Sequence, residues 1–194
     1  MTDPGPAGLS PPALDQTANL LGALALVLTD RMTEAMAEAG IRPESAATAL
    51  SALLHFLDRP TIDVLRQVLG LTSSGTVRLV DRMSELGQVE RGPGPDGRST
   101  TVSLTGAGRT ASERVAAARA RVLLAALSGL SGAEREMLRE LLSKVLVSFI
   151  RGPGATRWMC RLCDTGVCRG ASGGCPVGNA ARARYLAGDT GAQQ

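Results

Sequence analysis

The chain has 194 residues, a length that suits one domain with an appendage. A hydrophobic fraction of 44% supplies a core, and an aromatic fraction of only 2% means that this core is built from Leu, Val and Ala on helices. The net charge of +3 is compatible with nucleic-acid binding but too mild to demonstrate it, and the longest apolar run, 20–28, is too short for a membrane span of roughly 20 residues.

Met1 to Leu9 is rich in Pro and Gly and is expected to be a flexible N-terminus. It shows neither the basic start nor the apolar run of a secretory signal, which points to a cytoplasmic protein. Ser10-Pro11-Pro12 reads as a helix start, with Ser10 as N-cap and Pro11 in the first turn. Leu14, Ala18, Leu21, Ala25, Leu28, Met32, Ala35 and Ala39 then recur at helical period up to Gly40. So long an apolar stripe calls for a partner larger than its own domain. A second helix is predicted from Pro43 to Leu57, ending before Arg59-Pro60 because proline disfavours helix at the preceding residue. Thr61 caps a third, which ends at Leu69-Gly70.

Thr72 caps a fourth helix with Val77, Val80 and Met83 on one stripe and Leu79 and Leu86 beside it. Its opposite face carries Ser73, Ser74, Arg78, Arg82 and Glu85. Gly87 suits a left-handed helix end. A short strand, 88–91, leads into Gly92-Pro93-Gly94-Pro95-Asp96-Gly97, which can only be a loop, and a second strand runs from Ser99 to Leu104. The order is helix, turn, helix, strand, loop, strand. A helix fills a DNA major groove, where the hydroxyls of Ser73, Ser74 and Thr76 allow close approach to phosphate and Arg78 reaches a guanine edge with two hydrogen bonds. Arg98, at the loop tip, is placed to enter a minor groove, with the Asp96 carboxylate two residues earlier positioned to hold it. An ordinary amphipathic helix would account for Ser74, Arg78 and Arg82, but not for the adjoining strand–loop–strand with Arg98 at its tip.

Thr105 caps a fifth helix running to about Leu127, and Ser131 with Glu134 forms a capping box for a sixth ending near Ile150. The sixth carries Leu138, Leu141, Leu142, Val145, Leu146 and Phe149 at helical spacing.

Four segments, 78–83, 87–91, 96–99 and 102–109, together form a signature (RLVDRM, GQVER, DGRS and VSLTGAGR) that resembles the multiple antibiotic resistance regulator (MarR) family. The likeness covers about residues 14 to 150 and departs at Gln88, where an apolar residue is usual, and at Arg66, where a small one is usual. The resemblance implies a mainly α fold with a small β-wing, a winged helix-turn-helix joined to a helical dimerisation region. Its DNA-reading part would span about 43–104, and its dimerisation helices about 11–40 and 105–150, interlocking in a homodimer. It implies a DNA-binding regulator, a repressor in most relatives, on double-stranded DNA. Two-fold symmetry sets the recognition helices about 34 Å apart on a near-palindromic operator. DNA contacts are then expected from Thr72, Ser73, Ser74, Thr76, Arg78, Arg82, Asp96, Arg98 and Ser99. Many relatives also respond to a small-molecule effector.

Arg151-Gly152-Pro153-Gly154 is a natural boundary, and 151–194 form a cysteine-rich tail outside the resemblance. Cys160, Cys163, Cys168 and Cys175 are all the cysteines of the chain. Clustered thiols in a reducing compartment argue for metal or redox chemistry over a disulfide framework. Three chemistries suit them: a tetrahedral zinc site, an iron–sulfur cluster, or thiols that form disulfides on oxidation. Four incidental cysteines in a loose tail are the plain alternative. Arg157, Arg161, Arg169, Arg182 and Arg184 surround them, as a thiolate-stabilising field or simply a solvated face. A short helix is expected over 179–186 and disorder over 189–194.

His55, the only histidine, lies among Leu53, Leu54, Phe56 and Leu57 and reads as a core or interface residue. With no second histidine and no Walker-type glycine loop, no enzyme constellation is present. Three function classes remain: a regulator whose tail binds metal or senses redox state, a regulator switched by a small organic ligand, and an interaction module whose wing no longer reads DNA.

Overall fold

The computed structural model describes residues 14–152, 155–170 and 174–185, the side chains of 169 and 170 excepted. Nine helices and one two-stranded sheet are formed among them: α1 (Gln16–Glu38), α2 (Glu44–His55), α3 (Ile62–Leu69), α4 (Ser73–Glu85), β1 (Val89–Pro93), β2 (Thr100–Leu104), α5 (Gly106–Ala126), α6 (Gly132–Ser148), α7 (Ala155–Met159), α8 (Thr165–Gly170) and α9 (Pro176–Tyr185). The fold is therefore mainly α with a small antiparallel wing.

Local caps set most boundaries. Thr61, Thr72, Thr105 and Ser131 each accept a backbone N–H three residues on, and Glu134 returns to the Ser131 N–H to complete the capping box. At the N-terminus the outcome differs: α1 begins at Gln16, with the Asp15 carboxylate accepting the Ala18 N–H at 2.7 Å. The expected start at Ser10-Pro11 lies outside the described residues, as does the flexible segment 1–9. Helix α2 stops at His55, two residues early, because the chain must turn: Leu57 N–H reaches back to the Ala52 carbonyl, and Arg59 adopts a left-handed φ of 43° before Pro60. The strands are 89–93 and 100–104, shifted from 88–91 and 99–104, and the short helix is Pro176–Tyr185; residues 189–194 lie outside the described part.

The core is aliphatic and small, as an aromatic-poor chain requires. Leu50, Leu65, Val80, Met83, Val102 and Val115 are fully enclosed, with Ala47 and Ala49 of α2 and Ala111 of α5 packed among them. Ser112 is buried too, its hydroxyl within hydrogen-bonding reach of the Leu50 and Gly108 carbonyls. Helix α5 packs along both α1 and α2. Only the second half of α1 joins this core, through Met32, Ala35 and Met36; Leu20, Leu21, Leu24, Leu26 and Val27 stay exposed. Helix α6 has no fully buried residue, and Leu141, Leu142, Val145, Leu146 and Phe149 face outward.

Two sequence peculiarities are absorbed without disturbing the core. Arg66 lies at the surface and pairs with Asp63 at 2.8 Å, leaving Leu65 and Val68 to pack. Gln88 contributes mainly its backbone carbonyl, which accepts the Thr105 N–H at 3.1 Å. A Cβ on Gly108 would lie 1.9 Å from that carbonyl oxygen, so the first turn of α5 can seat there only on a glycine.

Gly108→Ala should therefore destabilise the protein by about 1–3 kcal/mol, the usual cost of overpacking. Gly22→Ala, mid-helix in α1 with open space around its Cα, should stabilise it by about 0.5–1 kcal/mol. Denaturant midpoints of the two variants against the parent check both signs.

Candidate nucleic-acid interface and cysteine cluster

Helices α3 and α4 form the helix-turn-helix. Gly70, with φ of 66°, ends α3, and Thr72 starts α4, its hydroxyl oxygen accepting the Gly75 N–H at 3.1 Å. The face of α4 that packs inward is Thr76, Leu79, Val80 and Met83. This corrects the expected stripe: Val77 is 41% exposed, Leu86 is exposed, and Thr76 is 0% exposed. Thr76 is therefore removed from the DNA-contact set, because its hydroxyl is enclosed and donates to the Thr72 carbonyl at 2.9 Å. Ser73, Ser74, Arg78 and Arg82 are exposed, and the spacing of 74, 78 and 82 aligns them on one stripe opposite the buried face.

The wing is held to α4 at its base. Asp81 of α4 pairs with Arg91 of β1, and Gly87, with φ of 63°, reverses the chain between helix and strand. The strands pair from Val89↔Leu104 to Pro93↔Thr100. On the other edge the Val102 N–H donates to the Pro60 carbonyl at 2.9 Å, and Thr101 bridges Thr61, so the link from α2 to α3 is stitched to the wing. At the tip, Gly94 N–H donates to the Ser99 carbonyl, and Gly97 has φ of 67°.

Asp96 does not grip the Arg98 guanidinium as expected. Its Oδ1 accepts the backbone N–H groups of Arg98 at 3.1 Å and Ser99 at 2.7 Å, and the Ser99 hydroxyl as well. A carboxylate two residues upstream meets these amides before it can meet a long side chain. Ser99 is half-buried and Asp96 is committed to the turn, so both shape the tip, while Arg98 stands exposed on it. Among the described residues, none takes the guanidinium of Arg78, Arg82 or Arg98 in a hydrogen bond or ion pair, whereas Arg91 and Arg66 are paired. Arg78, Arg82 and Arg98 are thus cations without a counter-charge among the described residues.

The four thiols are free, half-buried, and line one cavity of about 250 Å³ with Phe56, Thr156, Arg157, Thr165 and Arg182. A tight turn brings Cys163 N–H to the Cys160 carbonyl at 2.8 Å, and the Cys175 sulfur accepts the Gly178 N–H at the start of α9. The four thiols lie close enough to influence one another: Cys160 feels Cys163, Cys175 and Cys168, and Cys168 feels Cys175 and Cys163. The neighbouring Cys160 thiol, helped by the positive charge of Arg119, lowers the Cys163 pKa to about 6; the same interaction, with burial, pushes Cys160 up. Burial and the neighbouring thiols Cys175 and Cys163 raise Cys168. Among the described residues no group of three or more His, Cys, Asp or Glu side chains is arranged to hold a metal ion. Arg119 comes from α5, where nothing in its sequence setting marks it. Of the expected arginines, Arg157 and Arg182 line the cavity, Arg161 is turned to the Trp158 carbonyl and Arg184 to the Ile150 carbonyl; the Arg169 side chain lies outside the described residues.

His55 is half-buried and lines a second cavity of about 280 Å³ between α2, α5 and the tail, with Ser51, Ser112 and Arg119. No described helix is long and apolar enough to cross a membrane.

No protein-family model matches the chain, and no curated protein matches it in sequence. Solved structures do match in three dimensions. A MarR family protein from Bacillus stearothermophilus shares 28% identity at a TM-score of 0.59, over 69% of this chain and 96% of that one. The fold is that of the MarR-type winged helix. A mutant MarR from E. coli matches at 24% identity and a TM-score of 0.59, over 69% of this chain and 98% of its own. MepR, a transcription regulator of the Staphylococcus aureus multidrug efflux pump MepA, matches at 18% and 0.60, over 71% and 100%. These chains are covered almost end to end, and roughly three tenths of this chain has no counterpart in them.

Asp96 should stay ionised to about pH 2, well below its ordinary 3.8. The turn it makes is at full strength above pH 3.8 and is lost as pH falls through about 2. A carbon-detected NMR titration of the Asp96 carboxyl checks the midpoint; a value near 3.8 would dissolve the assigned turn.

Proposed function

We propose that the protein is a homodimeric, sequence-specific DNA-binding transcription regulator of the cytoplasm, acting as a repressor, with no enzymatic activity of its own. The observation that carries this is the set of uncompensated arginines: Arg78 and Arg82 on the exposed stripe of α4, and Arg98 at the wing tip, on elements tied together by the Asp81–Arg91 pair. Unpaired guanidinium groups on a groove-sized helix and a hairpin suit phosphates and base edges. Ser73 and Ser74 add short hydroxyls at the start of α4, and Thr72 fixes where that start lies. Asp96 and Ser99 act by shaping the tip. That the solved structures sharing this fold are regulators favours the same reading.

The dimer is supported by two apolar faces that the described residues leave uncovered, the first half of α1 and the outward side of α6. A second copy would bury them and set two recognition helices on a near-palindromic operator about 34 Å apart.

For the tail, the four thiols gather around one cavity, yet among the described residues no three of them are arranged to hold a metal ion; this favours reversible oxidation over zinc or an iron–sulfur cluster, both of which need the four sulfurs drawn to one centre. A small organic effector is the second reading, favoured by the cavity that carries His55, Ser51, Ser112 and Arg119.

The reduced, full-length protein should bind duplex DNA from upstream of its own coding sequence, with an affinity that falls steeply with salt. Arg98→Ala should weaken binding on all sequences. Arg78→Ala should cost about 1–3 kcal/mol and also relax base preference at one position, and Thr76→Ser should change neither. Equal affinity for the arginine variants and the parent in fluorescence anisotropy would remove the interface. Sedimentation should show a dimer that Leu142→Asp with Leu146→Asp converts to a monomer. Metal analysis and a visible spectrum of freshly purified protein decide among zinc, cluster and bare thiols.

A further inference from the structure

We propose that Cys160 and Cys163 are a peroxide-oxidisable thiol pair, and that closing their disulfide weakens DNA binding by moving the ground on which α3 stands. The relay half rests on the DNA-binding reading above.

Three placements carry this. A tight turn, closed by the Cys163 N–H on the Cys160 carbonyl at 2.8 Å, already sets the two residues side by side, so a bond between their sulfurs needs no rearrangement of distant chain. They line an open cavity of about 250 Å³, room enough for a small hydroperoxide. And the turn is mechanically engaged. Leu162, inside the Cys160–Cys163 ring, packs against the main core, and α7, which ends just before Cys160, packs against α3. Just beyond the pair, the Thr165 hydroxyl donates to the His55 carbonyl at 3.5 Å, at the end of α2. From there the segment to Thr61 runs to the wing through the Pro60 carbonyl and to the cap of α3. Drawing the sulfurs into covalent contact shifts Leu162 and the end of α7 together, and both touch the reading unit.

The chemistry balances with a hydroperoxide as the only co-reactant. The Cys163 thiolate attacks one peroxide oxygen and the O–O bond breaks. The leaving alkoxide or hydroxide takes up the proton that Cys163 had released, and Cys163 becomes a sulfenic acid. Cys160 sulfur then attacks the Cys163 sulfur, the S–O bond breaks, and the departing hydroxide takes the Cys160 proton to leave as water. Two thiols are oxidised by two electrons, and one peroxide is reduced to water and an alcohol, or to two waters. The positive charge of Arg119, which lines the neighbouring cavity with Leu162, favours the thiolate at Cys163, so Cys163 is the attacking sulfur and Cys160 the resolving one.

The test uses the full-length reduced protein and one equivalent of hydrogen peroxide under anaerobic conditions, with DNA affinity measured before and after. Two of the four thiols should disappear, peptide mass mapping should show a Cys160–Cys163 link, and affinity should fall about tenfold and return with dithiothreitol. Cys160→Ser should stall at a Cys163 sulfenic acid that dimedone traps. A first link between Cys168 and Cys175, retention of all four thiols, or stoichiometric zinc or iron shielding them would overturn the thiol assignment. A Cys160–Cys163 disulfide with unchanged DNA affinity would overturn the relay alone. Should the reduced protein bind no DNA, the regulator reading and the relay fall together, and the peptide map still decides the thiol chemistry.

Discussion

The backbone carbonyl of Gln88 is the point on which the DNA-reading half is assembled. It accepts the Thr105 N–H and lies against the bare Cα of Gly108, while the Thr105 hydroxyl donates to the Gly87 carbonyl one residue earlier. Three elements thereby meet within two residues: the end of α4, the start of β1 and the first turn of α5. Because α5 is also the helix that lies along α1 and α2, the direction of the wing is set by the same contact that fixes the long helices. A side chain at 108 would separate them, and the relation of recognition helix to wing would go with it. Asp81 and Arg91 reinforce this junction from the outside, but an exposed ion pair contributes little energy and serves mainly to restrict geometry.

What the sequence made legible follows from how local each determinant is. The caps at Thr61, Thr72, Thr105 and Ser131 are decided within three residues, and each sits where its sequence placed it. The face of α4 is decided elsewhere. Moving the buried stripe from Val77 to Thr76 is one residue, about 100° of rotation, and only Leu65, Val102 and their neighbours, which α4 packs against, determine it. Thr76 tolerates burial because the Thr72 carbonyl receives its hydroxyl, an option valine has no need of and threonine's polarity conceals. The grip of Asp96 on Arg98 failed for the opposite reason: a determinant still more local, the amides of the turn, claimed the carboxylate first. Arg119 and the Asp81–Arg91 pair join residues far apart in sequence, which neither periodicity nor motif spacing encodes.

The tail is legible as a cluster but not as a place. Spacing alone puts four sulfurs near one another; it does not say that they gather beside Phe56, at the end of α2, with Leu162 resting on the main core. A second small core, Ile150, Ala155, Val177 and Ala181, anchors α7 and α9 to the end of α6. The segment is thus fastened to α6, which carries one of the uncovered apolar faces, and to the α2–α3 link of the reading unit. An appendage attached at only one of these sites could move without consequence.

The scarcity of aromatic residues gives that double attachment its significance. Apart from Met36 and Met83, the core is made of short side chains such as Ala47, Ala49, Leu50, Leu65 and Val80, so it absorbs little displacement by side-chain rearrangement. Close-packed interiors of this kind transmit strain, and interfaces built on them move between discrete arrangements rather than deform. A shift of Leu162 against α2 and α5 would therefore pass to the backbone, and the tail meets that backbone at the end of α2, where the Thr165 hydroxyl reaches the His55 carbonyl just before the segment from Phe56 to Thr61. Arg59, already in a left-handed conformation there, marks the place where the chain trades local strain for the stitch between Pro60 and the wing.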